Sequence, residues 1–536
     1  MNGGRPDGGR GGSSEPGRAA RRQEAKAIRR RRRRRWIILL IVVAVLAAAA
    51  GAGVVLLRDD GDADGDGSQP VAEREPATTT TVAPTTTTAP PFEGWVNPTS
   101  VGQPYGTTVP GVLTFRGNPT RTYYGQGPIP SAPHVVWEYP GNTMCSLSED
   151  RGETTNWCGT GWTGQPAVFE REGRTWVVFG AYDRAVHFVD AATGQDIIPP
   201  FPTGDIIKGS VTIDPDGFPI VYSGSRDGYF RAIAFDRPEP TELWKLHAED
   251  VQPTMWNDDW DSSALVLNDF LFEGGENSQF HIVKLNRAYG PDGLATVAPQ
   301  LVFNTPGWDD ELTGAVGSEV SIEGSVSIIG DVVYFANSGG LVQGWDISGL
   351  RTGAGPPVRV FRFWTGDDTD ATVVADEAGM LYVGSEWERH NARATEVGQM
   401  VKLNPAQPDN PLVWSNKDDG VDKAGVFGTP GLYQDLVIYT TYTGRAIGID
   451  RNTGAVRFEK ALPAPLMGSP VIVDGIWLQG DCNGVLHAYD VRNTMIDPPE
   501  LWQVQLGGCI ESTPTVWNGR VYVGARGGKF YAIGDA

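Results

Sequence analysis

Cysteine and histidine are scarce in this chain, four and six residues in 536. The cysteines, Cys145, Cys158, Cys482 and Cys509, are too far apart for the two-to-four-residue ligand spacing of a zinc site. No two of them are adjacent. The histidines (His134, His187, His247, His281, His390 and His487) are scattered and suggest neither a triad nor a metal cluster. There is no Gly-rich phosphate loop and no G-x-S-x-G elbow, so phosphate-cradling and serine-elbow chemistry are set aside. Beyond the N-terminal region no long amphipathic helical pattern appears, which sets aside a helical fold. Turn formers, by contrast, are abundant: 69 Gly and 39 Pro. Interleaved with short β-rich runs, they point to an all-β architecture.

The charge is unevenly placed. Residues 1–35 carry a net +10, which leaves −31 for the remainder of a chain whose total is −21. So acidic a body argues against nucleic acid as a partner. Residues 1–35 lack apolar spacing and read as a disordered basic cytoplasmic tail. The 22 residues 36–57 hold no charge and as a helix would be about 33 Å long, enough to cross a bilayer core. The Arg29–Arg35 block on their N-terminal side places that end in the cytoplasm and the rest outside, as a single-pass plasma-membrane protein. A cleaved signal peptide is the alternative, since Ala47–Gly53 offers small residues. The apolar run continues through Val54–Leu57, which favours an uncleaved anchor. Residues 58–91 are acidic and then Thr/Pro-rich, unable to bury a core, and read as a stalk. Asp62, Asp64, Asp66, Gly67 and Glu73 match a calcium-loop pattern there. Gln69 at the usual apolar position and Pro70 after it argue against a working loop.

The last stretch, 513–536, shows how the rest is built. Its runs TVW, VYVG and KFYAI alternate in period two and are broken by Asn518-Gly519 and Gly527-Gly528. Such pairs accept positive φ and mark consecutive hairpins. The unit recurs with innermost strands near Gln165, Ser210, Ser263, Ser325, Ala371, Thr429, Ser469 and Thr513, eight copies at the spacing of a four-stranded blade. Upstream copies end in a fourth run, such as ELWKLH and ELWQVQL, that the terminal copy lacks. HVVWEYP (134–140) stands alone ahead of the first full copy. It is expected to supply the missing strand and close an eight-bladed β-propeller over 134–536, with 92–133 an extended lead-in.

The repeat over roughly 130–536 resembles the bacterial pyrroloquinoline-quinone-like propeller family. That family includes quinoprotein dehydrogenases and the propeller lipoprotein of outer-membrane-protein assembly. Its blade-locking motif A-x-D-x-x-T-G-x-x-x-W is partly kept: Asp190, Thr193 and Gly194 fit, with Ile198 at the Trp position. Asp450, Thr453 and Gly454 fit likewise, with Phe458 there. The resemblance implies the fold more than any chemistry. In the dehydrogenases the cofactor stacks between a Trp and a disulfide of adjacent cysteines, a pair this chain lacks. No cofactor is therefore expected, with calcium left open and the quinone disfavoured.

In such blades the second-to-third hairpin and the connector to the next blade emerge on one face. The long connectors 141–164, 247–262, 306–324 and 363–370 and the hairpin 385–398 all belong to it, as do the four cysteines. Two disulfides are expected from the even count, with three connectivities open. On this face Cys482–Cys509 is within reach, and Cys145–Cys158 would staple the connector after ring closure. Side chains just before the innermost strands should face the channel mouth: Trp162, Asp259, Trp260, Asp261, Glu323, Asp368, Asp370 and Glu511, with Glu319 and Asp367 beside them. Lys208 and Lys423 are the notable bases there. An acidic, aromatic funnel suits a cation, a polar ligand or a basic peptide. The alternative is that these carboxylates accept backbone N–H groups and tie blades together. The functional expectation is a non-enzymatic binding or assembly platform for an envelope partner. A quinone- and calcium-dependent oxidoreductase is the alternative.

Overall fold

The computed structural model describes residues 92–150, 152–161, 164–421 and 423–536. The expected tail, membrane helix and stalk, and Trp162 of the expected funnel, lie outside the described residues. Among the described residues no helix is long and apolar enough to cross a membrane.

Eight antiparallel sheets follow one another along the chain and form an eight-bladed β-propeller. In blade 7, for example, Val471–Val473, Ile476–Gly480, Val485–Asp490 and Glu500–Gln505 pair in order from the channel outward. The eighth blade is completed by His134–Tyr139, antiparallel to Lys529–Gly534 with His134 opposite Gly534 and Tyr139 opposite Phe530. Alternation drives this arrangement, because each middle strand has an apolar neighbour sheet on both sides. The core consequently lies between blades. Blades 2 and 3 share Tyr222, Phe230, Trp260, Leu271 and Val283, and blades 5 and 6 share Tyr382, Trp414, Val437 and Ile449.

The turns after the third strands hold as their Asp residues predict. The Asp190 Oδ1 atom accepts from the N–H groups of Ala192 and Thr193, and Asp450 Oδ1 does the same for Asn452 and Thr453. The tryptophan missing from each motif arrives from the preceding blade. Trp137 donates its indole N–H to Ala191 O (3.0 Å) and Trp414 to Arg451 O (3.1 Å). Their rings lie over Gly194 (φ +68°) and Gly454 (φ +74°), where a Cβ would come within 2.7–2.8 Å of the indole. Only glycine suits both that φ and that approach.

At the channel the innermost strands are laced by hydroxyls. Ser325 N donates to Thr372 Oγ1, Thr372 N to Thr429 Oγ1 and Thr429 N to Ser469 Oγ, each at 2.9–3.0 Å. Gln165 N and Ser263 N donate likewise to Ser210 and Ser325. In blade 5 it is Thr372, one residue beyond Ala371, that stands in register.

The lead-in does more than approach the ring. Gly111–Val112 runs antiparallel to the innermost strand of blade 1, and Gly125–Gln126 parallel to that of blade 8. The chain thus enters the channel from the face opposite the long connectors, turns, and leaves by the same face. Between those strands it meets every other blade. Leu113 O accepts from Ile213 N, Pro119 O from Ile328 N and Thr120 O from Ala375 N. Arg121, fully buried, donates to Ser263 O (2.7 Å) and Val326 O (2.7 Å). Arg116, also fully buried, donates to Thr429 O, Pro430 O and Pro470 O at 2.9–3.3 Å. The segment is a plug, and the arginines suit it because a guanidinium offers five donors in a fixed fork to a ring of otherwise unpaired carbonyls.

Candidate functional site: the acidic channel mouth

With one side plugged, the channel opens toward the face of the long connectors. The two disulfides, Cys145–Cys158 and Cys482–Cys509, lie there and staple those loops. The mouth carries two groups of carboxylates built from different connectors.

The first lies between blades 2 and 3. Asp259 and Asp261 come from the connector and Glu276 from the blade 3 hairpin Gly274–Gln279. All three are buried, and each offers a carboxylate oxygen within 4.8 Å of the others. Lys208, on the preceding connector, inserts its ammonium among them. Nζ lies 3.1 Å from Asp259 Oδ2, 3.1 Å from Glu276 Oε1, and in contact with Asp261 Oδ2. Burial acts to lower the Lys208 pKa, but the three carboxylates outweigh it and hold the group well above its ordinary value. Arg226 adds a second cation, donating from Nε to Asp259 Oδ2 at 2.8 Å. Asn257 donates to Glu276 Oε2 at 2.7 Å. An all-oxygen trio suits a hard cation, yet its centre is already filled by the lysine.

The second group lies at the connectors into blades 4 and 5. Glu323 accepts from Ser321 Oγ (2.6 Å) and faces Ser338 Oγ (3.2 Å), which is also 3.2 Å from Asp370 Oδ1. Asp368 is buried, 8% exposed, and its charge acts on the neighbouring Asp370. Its Oδ1 atom is covered from solvent and has no hydrogen-bond partner. Glu386, on the long hairpin of blade 5, has no ion-pair or hydrogen-bond partner for its carboxylate among the described residues. Arg389 is the cation at this group, 3.4 Å from Asp368 Oδ2 and donating to Ser338 O and Glu319 O. Burial first, and then the neighbouring carboxylates, push Glu323, Asp368, Asp370 and Glu386 well above the ordinary range.

The residues expected at the mouth divide accordingly. Asp259 and Asp261 meet in the first group; Glu323, Asp368 and Asp370 meet in the second. Glu511 stands across the mouth, ion-paired with Arg526 at 2.9 Å. Trp260 turns away from the channel into the core between blades 2 and 3 and donates its indole N–H to Gly228 O at 3.0 Å. Its apolar ring is more stable there than beside carboxylates. Asp367 fills the structural role considered for all of these acids. Oδ1 accepts from the N–H groups of Asp368 and Arg389, and Oδ2 from His390 N. Glu276, Glu386, Arg226 and Arg389 escaped the sequence reading. All four sit on second-to-third hairpins, the loop class already assigned to this face, so a search of those hairpins for charge would have found them.

No protein-family model and no curated protein gives a significant match to the chain. Solved structures do. BamB from Moraxella catarrhalis is 15% identical, with a TM-score of 0.47, over 75% of this chain and 98% of its own. The computationally designed Ika8 protein is 14% identical, with a TM-score of 0.49, over 70% of this chain and 97% of its own. Quinohemoprotein alcohol dehydrogenase from Comamonas testosteroni is 14% identical, with a TM-score of 0.50, over 80% of this chain and 81% of its own. At that identity, what the chain shares with the last of these is the propeller fold.

Proposed function

We propose that this chain is a membrane-tethered, extracytoplasmic propeller whose connector face is a binding or assembly platform for a cell-envelope partner or polar ligand. The observation that supports this most is the asymmetry of the channel. One end is filled by 111–126, while the other carries the long connectors, the disulfides and the acidic mouth. A rigid scaffold with elaborated loops on one side is the arrangement in which binding usually resides. The tether reading rests on the uncharged run 36–57 behind the Arg29–Arg35 block. Photo-crosslinking residues placed at Glu388 and Val421, on this face, and at Val456 and Met495, on the outer strands and turns, would test it in intact cells. Adducts from the first pair alone support the platform. Adducts from the second pair alone, or from neither, count against it.

A quinone- and calcium-dependent oxidoreductase is favoured by one observation, the close Asp259–Asp261–Glu276 trio. The residues fit poorly. Lys208 holds the place a divalent ion would take, and the disulfides join cysteines 13 and 27 residues apart, not adjacent ones. Purified protein given calcium and quinone should show neither a quinone absorbance band nor dye-linked alcohol or sugar oxidation; either would overturn the platform reading.

A further inference from the structure

We infer that the Glu323–Asp368–Asp370–Glu386 group is a receptor for an organic cation, the guanidinium or ammonium head of a basic side chain or of a free amine. This rests on the platform reading and names the chemistry of its ligand. Three observations lead there.

The first is charge. The trio beside Lys208 sets three carboxylates against two cations, Lys208 and Arg226. Among the described residues the second group sets four carboxylates against one ion-paired cation, Arg389, with Lys208 acting on Glu323 from the first group. Carboxylates crowded together in that ratio either share protons or take a cation from outside.

The second is an unfilled acceptor. The covered Asp368 Oδ1 atom has no donor, while Oδ2 of the same carboxylate lies 3.4 Å from Arg389. Ser338 lies 3.2 Å from both Glu323 and Asp370 and has one proton to give, while Ser321 donates to the same Glu323 oxygen at 2.6 Å. A guanidinium or ammonium brings three to five donors into such a space.

The third is access and size. Asp259, Asp261 and Glu276 are sealed, whereas Glu323, Asp370 and Glu386 are only half-buried and edge the open mouth. Among the described residues the sealed trio is the group whose oxygens approach within 4.8 Å of one another. The wider group suits a cation larger than a bare metal ion. The molecule itself shows the solution, for in the sealed trio the neutralising group is an alkylammonium, that of Lys208.

The test titrates the full-length protein with agmatine, with an acetylated Lys-Arg-Lys-Arg peptide amide and with calcium chloride, at one fixed ionic strength, by calorimetry. Saturable binding of agmatine or the peptide, weakened at least about tenfold in the Glu323→Gln/Asp370→Asn double variant and unchanged in Glu396→Gln, is the expected result. Agmatine alone identifies a free amine, and the peptide alone a basic segment of a partner. Saturation by calcium alone, or by none of the three, overturns the proposal. So does a double variant that binds as the parent does. Denaturation guards against misfolding: relieving uncompensated charge should leave the double variant at least as stable as the parent, whereas a structural role would lower its stability. If connector-face crosslinks form while no cation binds, the platform stands and this inference alone fails.

Discussion

The two acidic groups at the channel mouth are built from equivalent connectors of neighbouring blades, yet they solve the problem of buried charge differently. Beside blade 3 the chain supplies its own counter-ion, with Lys208 and Arg226 reaching carboxylates that are almost wholly excluded from water. Beside blade 5 the one ion-paired cation among the described residues is Arg389, and three of the four acids keep contact with the mouth. Similar residue types at similar positions are therefore a structural clamp in one place and an unfilled receptor in the other. What separates them is whether a long cationic side chain from the preceding connector reaches in.

The most damaging way to break this contrast is Lys208→Met. Removing one partner of a buried ionic cluster leaves uncompensated charge, and a loss of about 3–5 kcal/mol in denaturant unfolding is expected. Arg389→Ala should cost less, about 1–2 kcal/mol, because its carboxylate neighbours are nearer water and can take up protons. An equal loss from both variants would erase the distinction. Neutralising the second group should act in the opposite direction: Glu323→Gln/Asp370→Asn is expected to raise stability by about 1 kcal/mol, as is common where a site is kept strained for a ligand. A loss of stability in that variant would make both groups structural.

A third buried acid sharpens the comparison through pH. Glu273, near the plug's Arg121, has neither a lysine nor an open mouth; Ser262 donates to its Oε1 atom at 2.7 Å. Burial raises it from 4.5 to about 8. The folded state thus binds a proton that the unfolded chain has released, and stability falls as pH rises from about 4.5 to about 8. Glu273→Gln should remove up to about 1.4 kcal/mol per pH unit from that slope. Identical pH profiles for variant and parent would contradict this.

Much of the fold could be read from the residues. The unpaired run 134–140 and the incomplete terminal unit foretold the closure seen between His134–Tyr139 and Lys529–Gly534, since strand alternation and turn residues are local signals. Assigning the connectors to one face brought the cysteines together but left three connectivities open; the structure pairs Cys145 with Cys158 and Cys482 with Cys509. The plug did not follow. Its paired strands are two residues each, too short to leave a periodic signature, and its arginines resemble surface charge until eight strands surround them. Trp260 sits in the core and not at the mouth, because position alone cannot say which side of a connector turns inward.

By itself the sequence determined the repeat, the number of blades, how the ring closes and which face carries the elaborated loops, because hairpin periodicity and turn chemistry act over a few residues. The tertiary structure alone decided which carboxylates are neutralised, which are left waiting, and that the channel is closed from one side. Charge compensation depends on groups brought within a few ångströms from connectors tens of residues apart, and no local pattern records that distance.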